Sequence, residues 1–332
     1  MGTLNYIKMS PFTGMVGYGG GSSGLNVAVG LVKMEGWYGD RGVNCGGNPP
    51  NNDPGEFLNV VEYFDITTAS NASDFGDMLA KYWPGCYSNA SRGVIHCGQG
   101  NSPSDLNKIE YITISTTGNS STFGNAHYGR DMTVGFSDGT RGGIGNGYKN
   151  STSQNSIEYV TIDTTGNATD FGDRTLITAG CGSASDDTYA VFIGGRDYSD
   201  NTNKDVMDYI TIQTTGNATD YGDLSSQKTA CSASCGQIGR GLVAGGSNTN
   251  VIDYFQINTP GNATDFGDLL GNRSNMGCCA NATRAVWCGG YPQATQDNVI
   301  QYVEIQTSGN STDFGDLTGN KHVSGAMSGA PS

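Results

Sequence analysis

The sequence predicts an all-β fold, a single β-propeller, and three observations carry that prediction. A phrase close to I-E-Y-I-T-I, followed by T-T-G-N-A-T-D-F-G-D, occurs six times, with tyrosines at Tyr63, Tyr111, Tyr159, Tyr209, Tyr254 and Tyr302. The spacings are 48, 48, 50, 45 and 48 residues, a period that belongs to solenoids, propellers and arrays. Within each period, four strand-length segments are separated by clusters of Gly, Asn, Ser and Thr, and none has a helical period.

The unit around Tyr254 shows the elements in order. A small-residue segment, Cys231-Ser-Ala-Ser, comes first. Next is Arg240-Gly-Leu-Val-Ala-Gly-Gly246, whose closing glycine pair suits positive φ and close backbone approach. The pair recurs at Gly46-Gly47, Gly194-Gly195 and Gly289-Gly290, and in weaker form at Gly98 and Gly147. Third is Asn250-Val-Ile-Asp-Tyr-Phe-Gln-Ile257, patterned for a sheet covered on both faces. The last is Gly261-Asn-Ala-Thr-Asp-Phe-Gly-Asp268. Its aromatic column, Phe75, Phe123, Phe171, Tyr221, Phe266 and Phe314, suits wedges between neighbouring sheets. Four short antiparallel strands in such a period make one propeller blade.

The termini can be set in the same register. Leu4–Met9 matches the tyrosine strand, Asn26–Val32 the small-residue strand and Arg41–Gly47 the glycine-pair strand, while His322–Ser328 matches a small-residue strand at the other end. This register predicts one domain over 1–332 with seven blades. Residues 26–318 form six full blades, 1–25 contribute strands to a closing blade, and 319–332 supply its last strand. Sharing one blade between the termini protects sheet edges. It leaves the glycine-pair strand of the seventh blade unassigned. Met15–Gly20 out of order, a three-stranded blade, or a partner's strand would each resolve that. The alternative is a six-bladed ring with residues 1–40 as a separate arm.

The order of apolar strand, Gly-Gly, Asn-x-Ile-Glu-Tyr and a late aromatic resembles the kelch repeat, most closely at Asn107–Tyr111 and Asn155–Tyr159. It departs from kelch in carrying Phe or Tyr inside D-F-G-D where a Trp is usual. The T-T-G-N-A-T-D-F-G-D version is similar to kelch-like repeats in virion proteins of tailed bacteriophages, marine and cyanobacterial ones especially.

The repeat absorbs most residues that could carry chemistry. Paired carboxylates at Asp74/Asp77, Asp170/Asp173, Asp220/Asp223, Asp265/Asp268 and Asp313/Asp316 suit turn capping, with repeated Ca²⁺ sites as the alternative. Arg41, Arg92, Arg141, Arg240 and Arg284 form one column, and Glu62, Glu110, Glu158, Asp208 and Asp253 another. They suit an ion pair within the blade or arginines bonded to loop carbonyls, with a ring of ligand-facing arginines as the alternative. Nine cysteines follow the repeat: Cys86, Cys181, Cys231 and Cys278 in one column, Cys45 and Cys288 in another, as buried packing residues. His96, His127 and His322 fall in different columns without zinc-like spacing. Ser137–Thr140 has only part of a sialidase Asp-box, and the ten Asn-x-Ser/Thr triplets suit turns. No catalytic, cofactor or metal residue is assigned, and no enzyme activity or cofactor is expected.

The net charge of −14 and the absence of a basic stripe argue against nucleic-acid binding. No run of 18 apolar residues suggests membrane insertion, and Met1–Tyr6 lacks a secretory signal layout. The expected role is a non-enzymatic structural and interaction protein of a phage virion, made in the host cytoplasm. It would sit in the tail, baseplate or capsid surface. Its partners would be other virion proteins or a host-surface glycan or protein, with homo-oligomerisation open. Loops at Gly46–Pro54 and Tyr291–Asp297 vary between repeats and are candidate contact surfaces. A carbohydrate-binding propeller, with one site per blade or in the central pocket, is the second expectation. A propeller hydrolase or oxidase is the third.

Overall fold

A computed structural model of the chain describes residues 39–49, 56–102, 105–229, 239–247, 249–291 and 298–329, together with the backbone of 232–235. All regular structure among them is β, arranged as six four-stranded antiparallel sheets and one two-stranded ribbon. The second blade shows the plan. Gly85–Ser88 is innermost, followed outward by Arg92–His96, Lys108–Thr113 and Ser121–Asn125. The six innermost strands meet in a closed circle, from Gly325–Gly329 through Gly85–Ser88, Val134–Ser137, Gly182–Ser185, Ser232–Cys235 and Gly277–Ala280 back to the start. Their mostly small residues let the strands converge. Serine hydroxyls tie neighbours together: Ser137 Oγ donates to Ser88 O, Ser88 Oγ to Ser328 O, and Ser328 Oγ to Ala280 O.

The propeller is therefore six-bladed, the ring expected as the alternative, which corrects the seven-blade register. Gly325–Gly329 pairs directly with Arg41–Cys45, with Cys45 opposite Gly325 and Arg41 opposite Gly329. The C-terminal strand thus takes the place assigned to Asn26–Val32. The closing blade is Gly325–Gly329, Arg41–Cys45, Val60–Asp65 and Ser73–Asp77, four strands from this chain with no slot for a partner's strand. Two distant parts of the chain do share one blade, as expected. The extra blade was inferred because strand-like segments near the N-terminus fit the repeat, but a repeat register does not say which segments pair. The segments at Leu4–Met9, Met15–Gly20 and Asn26–Val32 lie outside the described residues.

The hydrophobic core is divided among the interfaces between blades. Phe75 packs with Val43 and Val61 of its own blade and with Ile95, Ile112 and Ile114 of the next, and the pattern repeats around the ring. The predicted aromatic wedges are thus in place. A register shift delivers each one: Val61 pairs with Gly76 and Glu62 with Asp74, so Phe75 is the extra residue of a bulge. Equivalent shifts occur in the other five outer strands. Tyr63 meets Phe75 edge to face at 6.0 Å, and the Arg41 guanidinium lies 4.7 Å from the Tyr63 ring centre.

The rim is stitched by the repeated phrase itself. Asn119 Oδ1 of the second blade accepts from Asp77 N of the first at 3.0 Å, and Gly118 N donates to Phe75 O at 2.7 Å. Asn167, Asn217, Asn262, Asn310 and Asn71 make the same bond to the blade before them. This Asn, expected to serve its own turn, therefore bonds the neighbouring blade.

Candidate functional site

The structure places the repeated candidates in structural roles. Arginines of the predicted column donate to carbonyls of the following blade. Arg41 reaches Ile114 O at 2.9 Å, Arg92 Ile162 O at 3.0 Å, Arg141 Ile212 O at 2.9 Å and Arg240 Ile305 O at 3.0 Å. Arg284 reaches Ile66 O at 3.1 Å. The loop-carbonyl expectation holds, and the ion pair between this column and the Glu/Asp column is not formed. The paired aspartates lie at the rim and contribute to no three-ligand group among the described residues. Asp138 caps its own hairpin by accepting from Thr140 N and Arg141 N, each at 2.8 Å. Cys45 and Cys288 share a register position, but Cys181 lies two positions before the one held by Cys86 and Cys278. Cys231 lies outside the described residues.

The carboxylate column instead meets a column of cations that sequence reasoning did not group. Lys81 pairs with Glu110 at 2.8 Å, Arg130 with Glu158 at 3.3 Å, Arg174 with Asp208 at 2.8 Å and Lys228 with Asp253 at 2.8 Å. Lys321 pairs with Glu62. Both partners of every pair are buried. Lys81, Arg130 and Lys321 lie in segments that lead from one rim strand to the next blade, whereas Arg174 and Lys228 lie in the long rim strands Thr169–Thr178 and Thr219–Lys228. Removing one partner of such a pair strands a buried charge, at a cost of about 3–5 kcal/mol. In the sixth blade Gln301 takes the carboxylate's place and accepts from Leu270 N at 2.9 Å.

One of these pairs belongs to a larger polar cluster. His96 Nε2 lies 3.1 Å from Glu158 Oε1, and its Nδ1 lies 2.9 Å from the Tyr87 hydroxyl. The carboxylate can only accept, so Nε2 carries the proton and Tyr87 donates to Nδ1. Burial lowers the His96 pKa and keeps the ring neutral. Burial also raises Glu158, but bonds from His96 and His127 N and the charge of Arg130 outweigh it and hold the carboxyl at about 2. Cys97 adjoins the cluster, its thiol pushed up to about 12 by burial. His96, Cys97 and Glu158 could offer three ligand atoms within 4.8 Å of one another. However, Nε2 and the carboxylate already satisfy each other, Arg130 balances the charge, and the thiol stays protonated. The arrangement is a hydrogen-bonded and ion-paired network between blades.

Two open spaces stand out among the described residues, apart from a rim pocket beside Leu79 and Glu110. One is the axial cavity of about 170 Å³, walled by the small residues of the innermost strands, with Trp83, Met132 and Met276 also in its lining. The other lies off the axis, a cleft of about 960 Å³ built where loops of the first, second and third blades gather. Lys81–Tyr82 and Gln99–Gly100 form a ribbon on one side, and Asp131 bridges Tyr148 on the other. Phe57 stacks on Tyr82 with ring centres 4.9 Å apart, and the Tyr82 hydroxyl donates to Gln99 Oε1 at 2.8 Å. Tyr148 packs against Tyr198 at 4.7 Å. Asp131 is only 8% exposed, and its Oδ1 has no donor among the described residues; the Oδ1 of half-buried Asn48 has none there either. Burial pushes the Asp131 carboxyl from 3.8 to about 6. Tyr82 is raised to about 12 by burial and by the charge of Asp131.

The chain matches no protein-family profile and no curated protein sequence. The fold class rests on its own geometry: it is a β-propeller. Of the loops expected to make contacts, Gly46–Pro49 is described, whereas 50–54 and 292–297 lie outside the described residues.

Proposed function

We propose that the chain is a non-enzymatic interaction scaffold displayed on the particle of a tailed bacteriophage. Other virion subunits, or the host surface, would be its partners at the loop face. The observation that carries the scaffold reading is the use of the repeated polar residues. The arginines, the Glu/Asp column and the rim asparagines bond one blade to the next, so the repeat serves rigidity. The resemblance of T-T-G-N-A-T-D-F-G-D to kelch-like repeats of phage virion proteins supports the placement on a particle. A rigid disc with varied loops suits several simultaneous contacts. The test is quantitative mass spectrometry of gradient-purified particles from the source phage. The expected outcome is this chain at a fixed copy number alongside the tail and capsid proteins. Its absence from intact particles, with recovery only in the lysate, would overturn the placement.

A further inference from the structure

We propose that the off-axis cleft between the first three blades binds a neutral sugar ring, a pyranose presented by a glycan. The inference goes beyond the scaffold reading and stands whether or not the chain sits on a particle. A pyranose has an apolar C–H face and a girdle of hydroxyls, and the cleft offers a complement to each. Phe57 and Tyr82 form a half-buried aromatic platform. Its orientation is fixed before any ligand arrives, because Phe57 stacks on Tyr82 and Gln99 holds the Tyr82 hydroxyl. A preset platform avoids the entropy cost of ordering side chains on binding.

The polar side of the cleft narrows the class. Asp131 and Asn48 both line it, and each has an acceptor oxygen with no donor among the described residues. Buried acceptors without donors are costly, and a ligand rich in hydroxyl donors relieves that cost. A purely apolar ligand would leave it in place. An anionic ligand would face the Asp131 carboxylate, while the charge of each nearby cation already faces a partner. Arg130 pairs with Glu158 at 3.3 Å, and the Lys149 ammonium sits 4.1 Å from the Tyr128 ring centre. A neutral polyol with an apolar face is what remains. The bridge that carries these groups recurs around the ring, but Tyr82 and Asp131 are replaced by Ala179, Ser274 and His322 at the equivalent places, so the site is single. It is neither one per blade nor on the propeller axis.

The experiment is saturation-transfer NMR on the full chain with methyl glucoside, methyl mannoside, methyl galactoside and N-acetylglucosamine. The expected result is transfer to the ring C–H protons of at least one sugar. Affinity should fall at least tenfold in Tyr82→Ala and in Asp131→Asn, and stay unchanged in Asp313→Asn at the distant rim. Asp131→Asn removes a buried charge and keeps the fold, so its loss of binding is not a loss of structure. No transfer from any of the four sugars overturns the proposal. So does transfer that survives both cleft variants, or a response to an anionic sialoside alone. A negative result here leaves the scaffold reading intact, whereas absence from particles leaves the cleft intact.

Discussion

A carboxylate buried with an unpaired oxygen is harder to ionise than one in water, and Asp131 is such a group: burial moves it from 3.8 to about 6. The unfolded chain ionises it near the lower value and the folded chain near the higher one. Between the two, the folded protein holds more protons, so stability falls as pH rises through that window. The penalty is fully present above about pH 6 and absent below about pH 4. Asp131→Asn should therefore be more stable than the parent at pH 7.5 by about 1–3 kcal/mol. At pH 4 the two should unfold together. Urea titrations at the two pH values check this, and an equal gain at both would mean that charge is not the cause. The residues around Asp131 explain why the sequence hid it. Tyr82, Asp131, Ser274 and His322 hold equivalent places, bridged to Gln99, Tyr148, Tyr291 and Asn48, but the residue type changes at each, so no column shows in the sequence, and only folding brings the ribbon and the bridge to one cleft. The cation column was hidden for another reason. Arg174 follows Asp173 directly whereas Lys321 comes five residues after Asp316, yet both reach a buried carboxylate.

At the scale of the element, the phrase D-F-G-D does two jobs at once. Its bulge turns the aromatic into the interface, and its glycine admits the neighbouring turn. A Cβ on Gly267 would lie 2.3 Å from Gly309 O, and its φ of +153° lies where side chains are strained. The partner glycine is different: a Cβ on Gly309 would meet nothing within 4 Å. Gly267→Ala should cost about 2–4 kcal/mol through overpacking and backbone strain, while Gly309→Ala should stay within about 0.5 kcal/mol of the parent. Shifts in the urea midpoint distinguish the two, and equal shifts would show that the glycines do not act as donor and recipient of space. The glycine pair before the third strand was legible in the sequence for a similar reason. Gly46 and Gly47 take φ of +62° and +112°. Where the pair is broken, Cys97 and Asn146 are held at +60° and +47°, which accounts for the weaker signal at Gly98 and Gly147.

At the scale of the molecule, the tyrosine period reported the blades and not how the ring closes. Six tyrosine strands mark six blades, but closure depends on which distant segment completes the first sheet. Gly325–Gly329 does so. It covers the edge of Arg41–Cys45, places Met327 in the core between the first two blades, and links Ser88 and Ala280 through Ser328. An open array of repeats can lose a terminal unit and keep the rest, because each unit contacts only its neighbours. A ring has no terminal unit: without this strand, the first blade loses its seal against both the second and the sixth. A chain ending at Asn320 should therefore lose cooperative unfolding as a whole and aggregate through the exposed edge. A synthetic peptide of residues 321–332 should restore a single melting transition, since the missing contacts all lie in one continuous segment. Calorimetry of the truncated chain with and without the peptide reads the outcome. A truncated chain that melts as the parent does would mean that closure adds little to the stability of the ring.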